Sequence, residues 1–443
     1  MKPCPLNQVL EVLEIPPRTD EIVTGFQIDS RSIESGNLFF ALPGEKTDGH
    51  CHLEEVQRRG ALGAVVSSAY QGPDFGLQLF RVTDVKEALQ GLAREEVRRG
   101  GFRIGAVTGS VGKTTTKEFW AQLMQGRFRL GKTEGSQNTQ LTLPLTLLNR
   151  AGDEEMMVLE MGMSKPGEME RLVDIAPPEV ALLTKVALAH AAAFPEGVKE
   201  IAREKSQIFK GAKRCIFPSE FLEYEELVQE IGGEKITFSL TDRRADYFLS
   251  VETGILDERG VRAYQFDLPF REMHLLHNFL AAVCGARGFG VDWDQINAQV
   301  GHLRLPKMRF QQFEQQEILF VNDSYNSNPA SVKAALECFP RPKEGGKKIG
   351  VFGPMAELGI FSEQMHAEMG RLAQKHADHL LVLGEDARPF WEGFVEGARP
   401  GEWFLDRKEL VARLKELMRP GDVVLVKGRR SERMEEIFEL LGH

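Results

Sequence analysis

The stretch Thr108-Gly109-Ser110-Val111-Gly112-Lys113-Thr114-Thr115 lies between an apolar run, FRIGAV, and a helical pattern, TTTKEFWAQLM. A strand that turns through glycines straight into a helix constrains what surrounds it, because such a turn belongs at the carboxyl end of a strand in an open α/β sheet. Glycines there let backbone N–H groups close around phosphate oxygens, and the helix N-terminus adds positive potential. Lys113 reaches the terminal phosphates, and the Thr114 hydroxyl can bind magnesium. The arrangement predicts a nucleoside triphosphate, ATP or GTP. The loop departs from the general G-x-x-x-x-G-K-[ST] pattern by having Val107 where the first glycine would fall. A glycine-rich turn that merely satisfies chain geometry is the alternative, and G-K-T-T in this context weighs against it.

The apolar rhythm extends this local picture to the whole chain. Residues 1–98 alternate short apolar runs with turn signals (GFQIDSR, NLFFALPGE, GALGAVVSS, LQLFRVTD) and end in a charged helical stretch, KEALQGLAREEVRRG. After the phosphate loop, MMVLEMG and VALLTK read as buried parallel strands, with a helix over about 197–210. Beyond residue 304, ILFVNDS, KKIGVFGPM, DHLLVLGED and DVVLVKGRR predict a second doubly wound sheet. With 443 residues there is room for about three domains. The expected class is α/β: a small α/β domain (1–98), a central P-loop domain with a mostly parallel sheet (99–303) and a Rossmann-like domain (304–443).

Composition removes other classes. Lys and Arg number 55 against 65 Asp and Glu, a formal charge of −10, so the basic surface of a general nucleic-acid binder is absent. The 5 cysteines are scattered without C-x-x-C pairing, which suggests reduced thiols in place of disulfides or zinc. The opening MKPCPLNQVLEVLEIPPR carries acidic residues among its apolar ones, and no stretch approaches the roughly 18 apolar residues of a membrane span. A soluble, cytoplasmic chain without an export signal or membrane insertion is expected.

Three further residues suggest a metal site. Glu160 ends the MMVLE run, at the strand end where ligands of open α/β sheets sit. In GVKEIAREKSQIFKG, Val198, Ile201, Ile208 and Phe209 mark one helical stripe, and Lys205 falls on that buried side. Periodicity alone favours a lysine that snorkels to the surface. The other reading is a neutral buried amine that captures carbon dioxide, so that a carbamylated Lys205 becomes an anionic magnesium ligand. His190 follows the VALLT strand and could reach the same cleft, although a lone histidine is more often structural.

These residues, with motifs elsewhere, make the chain resemble the Mur ligase family end to end, and within it the members that add D-alanyl-D-alanine. The motifs are Ile28-Asp29-Ser30-Arg31, GNLFFALPGEKTDGH, GALGAVV, VNDSYNSNP (321–329), GPMAELG (353–359) and GDVVLVKG (421–428). The resemblance implies that the first domain takes the uridine nucleotide, the second ATP and magnesium, and the third D-alanyl-D-alanine while closing on ATP. It implies Thr114, Glu160, His190 and carbamylated Lys205 at the metal, with Lys113 on the ATP phosphates. Asn278 falls on the adenine side, while Arg309, Asp323, Tyr325 and Asn326 would be nucleotide contacts from the third domain. Ser30 and Arg31 would meet UDP, with Ser136, Asn138 and Thr139 near the sugar. The implied reaction joins D-alanyl-D-alanine to UDP-N-acetylmuramoyl-tripeptide through an acyl phosphate, in a monomer. A sibling Mur or folylpolyglutamate ligase and a nucleotide-dependent ATPase switch are the alternatives. The chain departs from the family pattern at Pro354, at Leu276, around His190 (AHAAAFPEG) and at Lys427-Gly428-Arg429-Arg430.

Overall fold

A computed structural model describes residues 2–18, 20–44, 47–188, 193–260 and 262–442. The first of its larger sheets has four parallel strands in chain order, Gly25–Gln27, Asn37–Phe40, Gly63–Ser67 and Gln78–Val82. The helix Val85–Gly100 covers it through Leu89, Leu92 and Ala93, which pack with Phe40, Val65 and Phe80. Asp84 starts this helix by accepting hydrogen bonds from the Lys86 and Glu87 amides, and Gly101 ends it at φ +64°.

The central sheet has nine strands. Leu130–Lys132, Met156–Glu160, Arg103–Thr108, Val180–Leu183, Arg214–Pro218, Glu234–Ser239 and Tyr247–Leu249 lie side by side in parallel, and the hairpin Ile255–Glu258 with Arg262–Gln265 extends the far edge antiparallel. Met156–Glu160 and Val180–Leu183 are buried throughout because helices shield both faces, which is why their sequences run apolar without alternation. Strand order reverses at Arg103–Thr108, which pairs with Met156–Glu160 on one side and Val180–Leu183 on the other. The crevice at such a switch point is where open α/β sheets take their ligands.

Two helices on one face, Lys113–Met124 and Met273–Gly288, pack through Phe119, Trp120, Leu123, Phe279 and Leu280. The Trp120 ring fits because Gly105 and Gly285 face it: a Cβ on either would stand 2.7 or 2.5 Å from the indole. Side chains there would force the tryptophan and its helix away from the sheet.

The last sheet runs Gln311–Gln315, Ile318–Asn322, Val423–Lys427, Lys348–Phe352, His379–Leu383 and Gly401–Phe404, parallel except for the first strand. Its two edge strands, QQFEQ and GEWF, were not signalled by apolar runs, because partly exposed edges do not require them. The helix expected over about 197–210 is α-helical over Val198–Ser206 and closes with a 3₁₀ turn, Gln207–Phe209. No helix among the described residues is long and apolar enough to cross a membrane. The five cysteines are all free.

Candidate active site

The phosphate loop owes its shape to two glycines and to the segment that follows Val180–Leu183. Gly109 has φ +153° and Gly112 φ +84°, values that side chains resist. The Thr184 hydroxyl donates to the Val111 carbonyl at 2.6 Å, so close to Gly109 that a Cβ there would meet it at 1.9 Å. Ser110 donates from its amide to Lys185 O (2.7 Å) and from its hydroxyl to Ala187 O (2.7 Å). Lys113 opens the helix, bends back and donates to the Gly109 carbonyl at 2.7 Å. Burial pushes its ammonium below the ordinary lysine range, Glu160 opposes that, and Arg309 adds to it. Thr108, Thr114 and Thr115 are buried beneath the loop.

A Cβ on Gly112 would lie 2.3 Å from Asn278 Oδ1. Asn278 therefore packs directly on the phosphate loop from the helix Met273–Gly288. Gly112→Ala combines a positive φ with that clash and is expected to weaken nucleotide binding by about tenfold or more, since strain of this kind costs on the order of 1–3 kcal/mol. Calorimetric titration checks this.

Glu160 and Lys205 supply buried groups that lack hydrogen-bond partners among the described residues. Glu160 is 1% exposed; its Oε1 accepts from Asn138 Nδ2 at 2.7 Å, its backbone amide donates to Thr133 Oγ1 at 2.9 Å, and its Oε2 has no hydrogen-bond partner among the described residues. Lys205 is fully buried and does not snorkel; no described residue accepts a hydrogen bond from its Nζ. Burial, reinforced by the Lys113 ammonium and opposed by Glu204, holds its amine well below the usual lysine range. Lys113 thus interacts electrostatically with Glu160, Arg309 and Lys205 together. An unpartnered carboxylate oxygen, the Thr114 hydroxyl and an orphaned amine able to become a carbamate fit a magnesium ion completed by phosphate oxygens. No cluster of three His, Cys, Asp or Glu occurs among the described residues, so such an ion would rely on those other oxygens. His190 lies outside the described residues.

The third domain meets the second here. Arg309 Nη2 donates to Thr114 Oγ1 at 3.2 Å, and its guanidinium lies 4.1 Å from the centre of the Tyr325 ring. The Tyr325 hydroxyl hydrogen-bonds Ser136 Oγ. Asn328 caps the helix Pro329–Glu337 through Ser331 while its Nδ2 reaches Ser110 O at 3.5 Å. Asp323 accepts from Lys427 Nζ at 2.6 Å and from the Phe310 amide at 3.2 Å; Asn326 contributes its carbonyl to Lys427 at 3.0 Å.

Other expected residues serve local contacts. Thr139 accepts from the amides of Leu141 and Thr142 at the start of the helix Thr142–Leu148. In the first domain Ser30 Oγ donates to Glu55 at 2.8 Å, and exposed Arg31 grips Asp29 with two hydrogen bonds of 2.9 and 2.7 Å. Those partners lie in the same domain, apart from the cluster around Lys113.

Sequence patterns assigned no role to Thr184, Lys427, Asn328 or His366, although the motifs VNDSYNSNP and GDVVLVKG contain Asn328 and Lys427. His366 Nε2 accepts from the Met355 amide at 2.9 Å while Nδ1 donates to Ser362 O at 2.7 Å, fixing the GPMAELG turn. A lysine closing the buried strand Val423–Lys427 was the available signal for Lys427.

His277, the residue before Asn278, packs its ring edge-on to Phe238 at 5.0 Å. Burial first, then Lys185 and His274, lowers its pKa to about 4. The unfolded chain therefore binds a proton more readily. Stability falls as pH drops from about 6.5 towards 4, by roughly 2 kcal/mol between pH 7 and 4.5 from this ring alone. Urea midpoints at the two pH values should fall less in His277→Leu than in the wild type.

The site thus joins a phosphate loop at a switch point, a buried strand-end glutamate, a buried lysine unpartnered among the described residues and a third domain reaching the loop, and the chain belongs to the Mur ligase family. Family models match it along its length: "Mur ligase family, catalytic domain" at 22–96, "Mur ligase middle domain" at 107–286 and "Mur ligase, glutamate ligase domain" at 308–430. More particularly, it is 30% identical to UDP-N-acetylmuramoyl-tripeptide–D-alanyl-D-alanine ligase of Bacillus subtilis, over 98% of this chain and 96% of the relative. Among solved structures it is similar to MurF of Acinetobacter baumannii (26% identity, all of both chains, TM-score 0.87). It is also similar to Thermotoga maritima MurF ligase in complex with ADP (28%, 94% and 97% of the chains, TM-score 0.79).

Proposed function

We propose that the protein is an ATP-dependent ligase that joins D-alanyl-D-alanine to the terminal carboxylate of UDP-N-acetylmuramoyl-tripeptide, giving UDP-N-acetylmuramoyl-pentapeptide, ADP and phosphate. The observation that carries it is full-length similarity to an enzyme of that name in a chain whose phosphate loop is met by Arg309 and Asn328, with Tyr325 stacked on Arg309. The division 1–98, 99–303 and 304–443 is proposed because each larger sheet falls within one of these spans.

A carboxylate condenses with an amine only after one oxygen becomes a good leaving group, which phosphorylation to an acyl phosphate achieves. Lys113 stabilises charge on the transferring phosphoryl group, and the loop amides hold the remaining phosphates. Arg309 and Tyr325 cover the nucleotide from the third domain, excluding water from the acyl phosphate. The dipeptide amine then attacks, a new C–N bond forms and phosphate departs. Bound magnesium, held by Thr114, Glu160, His190 and Lys205, would neutralise phosphate charge. The Lys205 role requires its neutral amine to add to carbon dioxide and release a proton, and the depressed amine basicity supports this. Ser30 and Arg31 are assigned to UDP, Ser136, Asn138 and Thr139 to the sugar, and Asn278, Asp323 and Asn326 to the nucleotide. A cytoplasmic monomer is the proposed state, in keeping with free thiols.

Phosphate release from ATP tests the reading. It should require both the UDP-tripeptide and D-alanyl-D-alanine; release indifferent to both would favour an ATPase switch.

A further inference from the structure

Lys117 sits one turn beyond Lys113 on the helix Lys113–Met124, and it is fully buried. A buried ammonium is stable only where acceptors meet its three protons. Here it donates to the carbonyls of Thr133 and of Gly135 (2.8 Å), and Glu118 Oε1 stands 3.2 Å away. Glu160 Oε2, the oxygen without a hydrogen bond among the described residues, is 4.0 Å from the same nitrogen.

Thr133 and Gly135 lead into the site. Thr133 accepts the Glu160 amide through its hydroxyl, and Gly135 immediately precedes Ser136, which meets Tyr325. Three residues on, Asn138 holds the other Glu160 oxygen. One ammonium therefore ties the phosphate helix to the 133–138 segment. It also sets a positive charge beside the carboxylate oxygen left for a metal.

We infer that Lys117 is a positioning residue that fixes Glu160 for magnesium and the Ser136–Asn138 segment for the UDP-linked substrate in a single geometry; the inference rests on the proposed ligase reading. Lys117 touches no reacting atom. Its loss acts through Glu160 and the loop, as the loss of an outer partner of a metal ligand does, at a typical cost of about 10–100-fold.

The test compares wild type with Lys117→Met, which keeps the alkyl stem and removes the charge. Nucleotide affinity is titrated calorimetrically with and without Mg2+, and KM for the UDP-tripeptide is measured. The expected result is metal-free affinity within about threefold of wild type, Mg2+ enhancement reduced about tenfold and KM raised about tenfold. Lys117→Arg should fall between the two. A lysine that only stabilises the fold would lower the melting temperature and leave Mg2+ enhancement and KM within about threefold, overturning the inference. If Lys117→Met does not fold, Lys117→Arg decides by the same threefold threshold. Wild-type protein without ligase turnover would instead overturn the function proposed above, and the Mg2+ titration would still decide the role of Lys117.

Discussion

Replacing Lys113 by methionine is expected to lower turnover by about a thousandfold, the scale on which a preorganised donor to transition-state charge acts. The ammonium is tethered over the loop by the Gly109 carbonyl and faces the electrostatic influence of Glu160 and Arg309. Burial already works against its charge, so the folded protein bears a cost that the variant escapes. Lys113→Met should therefore melt no lower than wild type while losing activity. Steady-state kinetics and a thermal melt on the same preparation check both halves; equal loss of activity and stability would mean that the lysine acts mainly in the fold.

Removing Lys205 should have an effect of similar size, about a hundredfold to a thousandfold in turnover, through a different cause. Its amine has no hydrogen-bond acceptor among the described residues and is less basic than an ordinary lysine. Wild-type protein equilibrated with 13C-labelled carbon dioxide is expected to show a carbamate carbonyl resonance that Lys205→Met lacks. Because protonation of the amine competes with carbamate formation, both the resonance and the activity supported by bicarbonate should decline as pH falls. Full activity in carbon dioxide-depleted buffer with no resonance would contradict the role.

What could be read from the chain follows the range of the interactions involved. The phosphate loop was legible because strand, turn and helix are contiguous in sequence, and the positive-φ glycines stand where the turn demands them. The buried side of the helix carrying Lys205 was legible from helical spacing, but its fate was not, since snorkelling and burial share one periodicity. Arg309 meets Thr114 across 195 residues, and Tyr325 meets Ser136 across 189; spacing carries no signal for such contacts, and only the family resemblance suggested Arg309, Tyr325 and Ser136. Lys117 reads as one more polar residue in TTTKEFW, because its acceptors are backbone carbonyls that have no sequence identity. The edge strands Gln311–Gln315 and Gly401–Phe404 escaped because partial exposure leaves no apolar run.

The central claim concerns which bond is made. Purified protein given ATP, Mg2+, UDP-N-acetylmuramoyl-tripeptide and an equimolar mixture of D-alanyl-D-alanine with free amino acids should yield, by mass spectrometry, one new UDP product heavier by the dipeptide less water. A product carrying a single amino acid, or ADP formed without a new UDP-linked species, would contradict it.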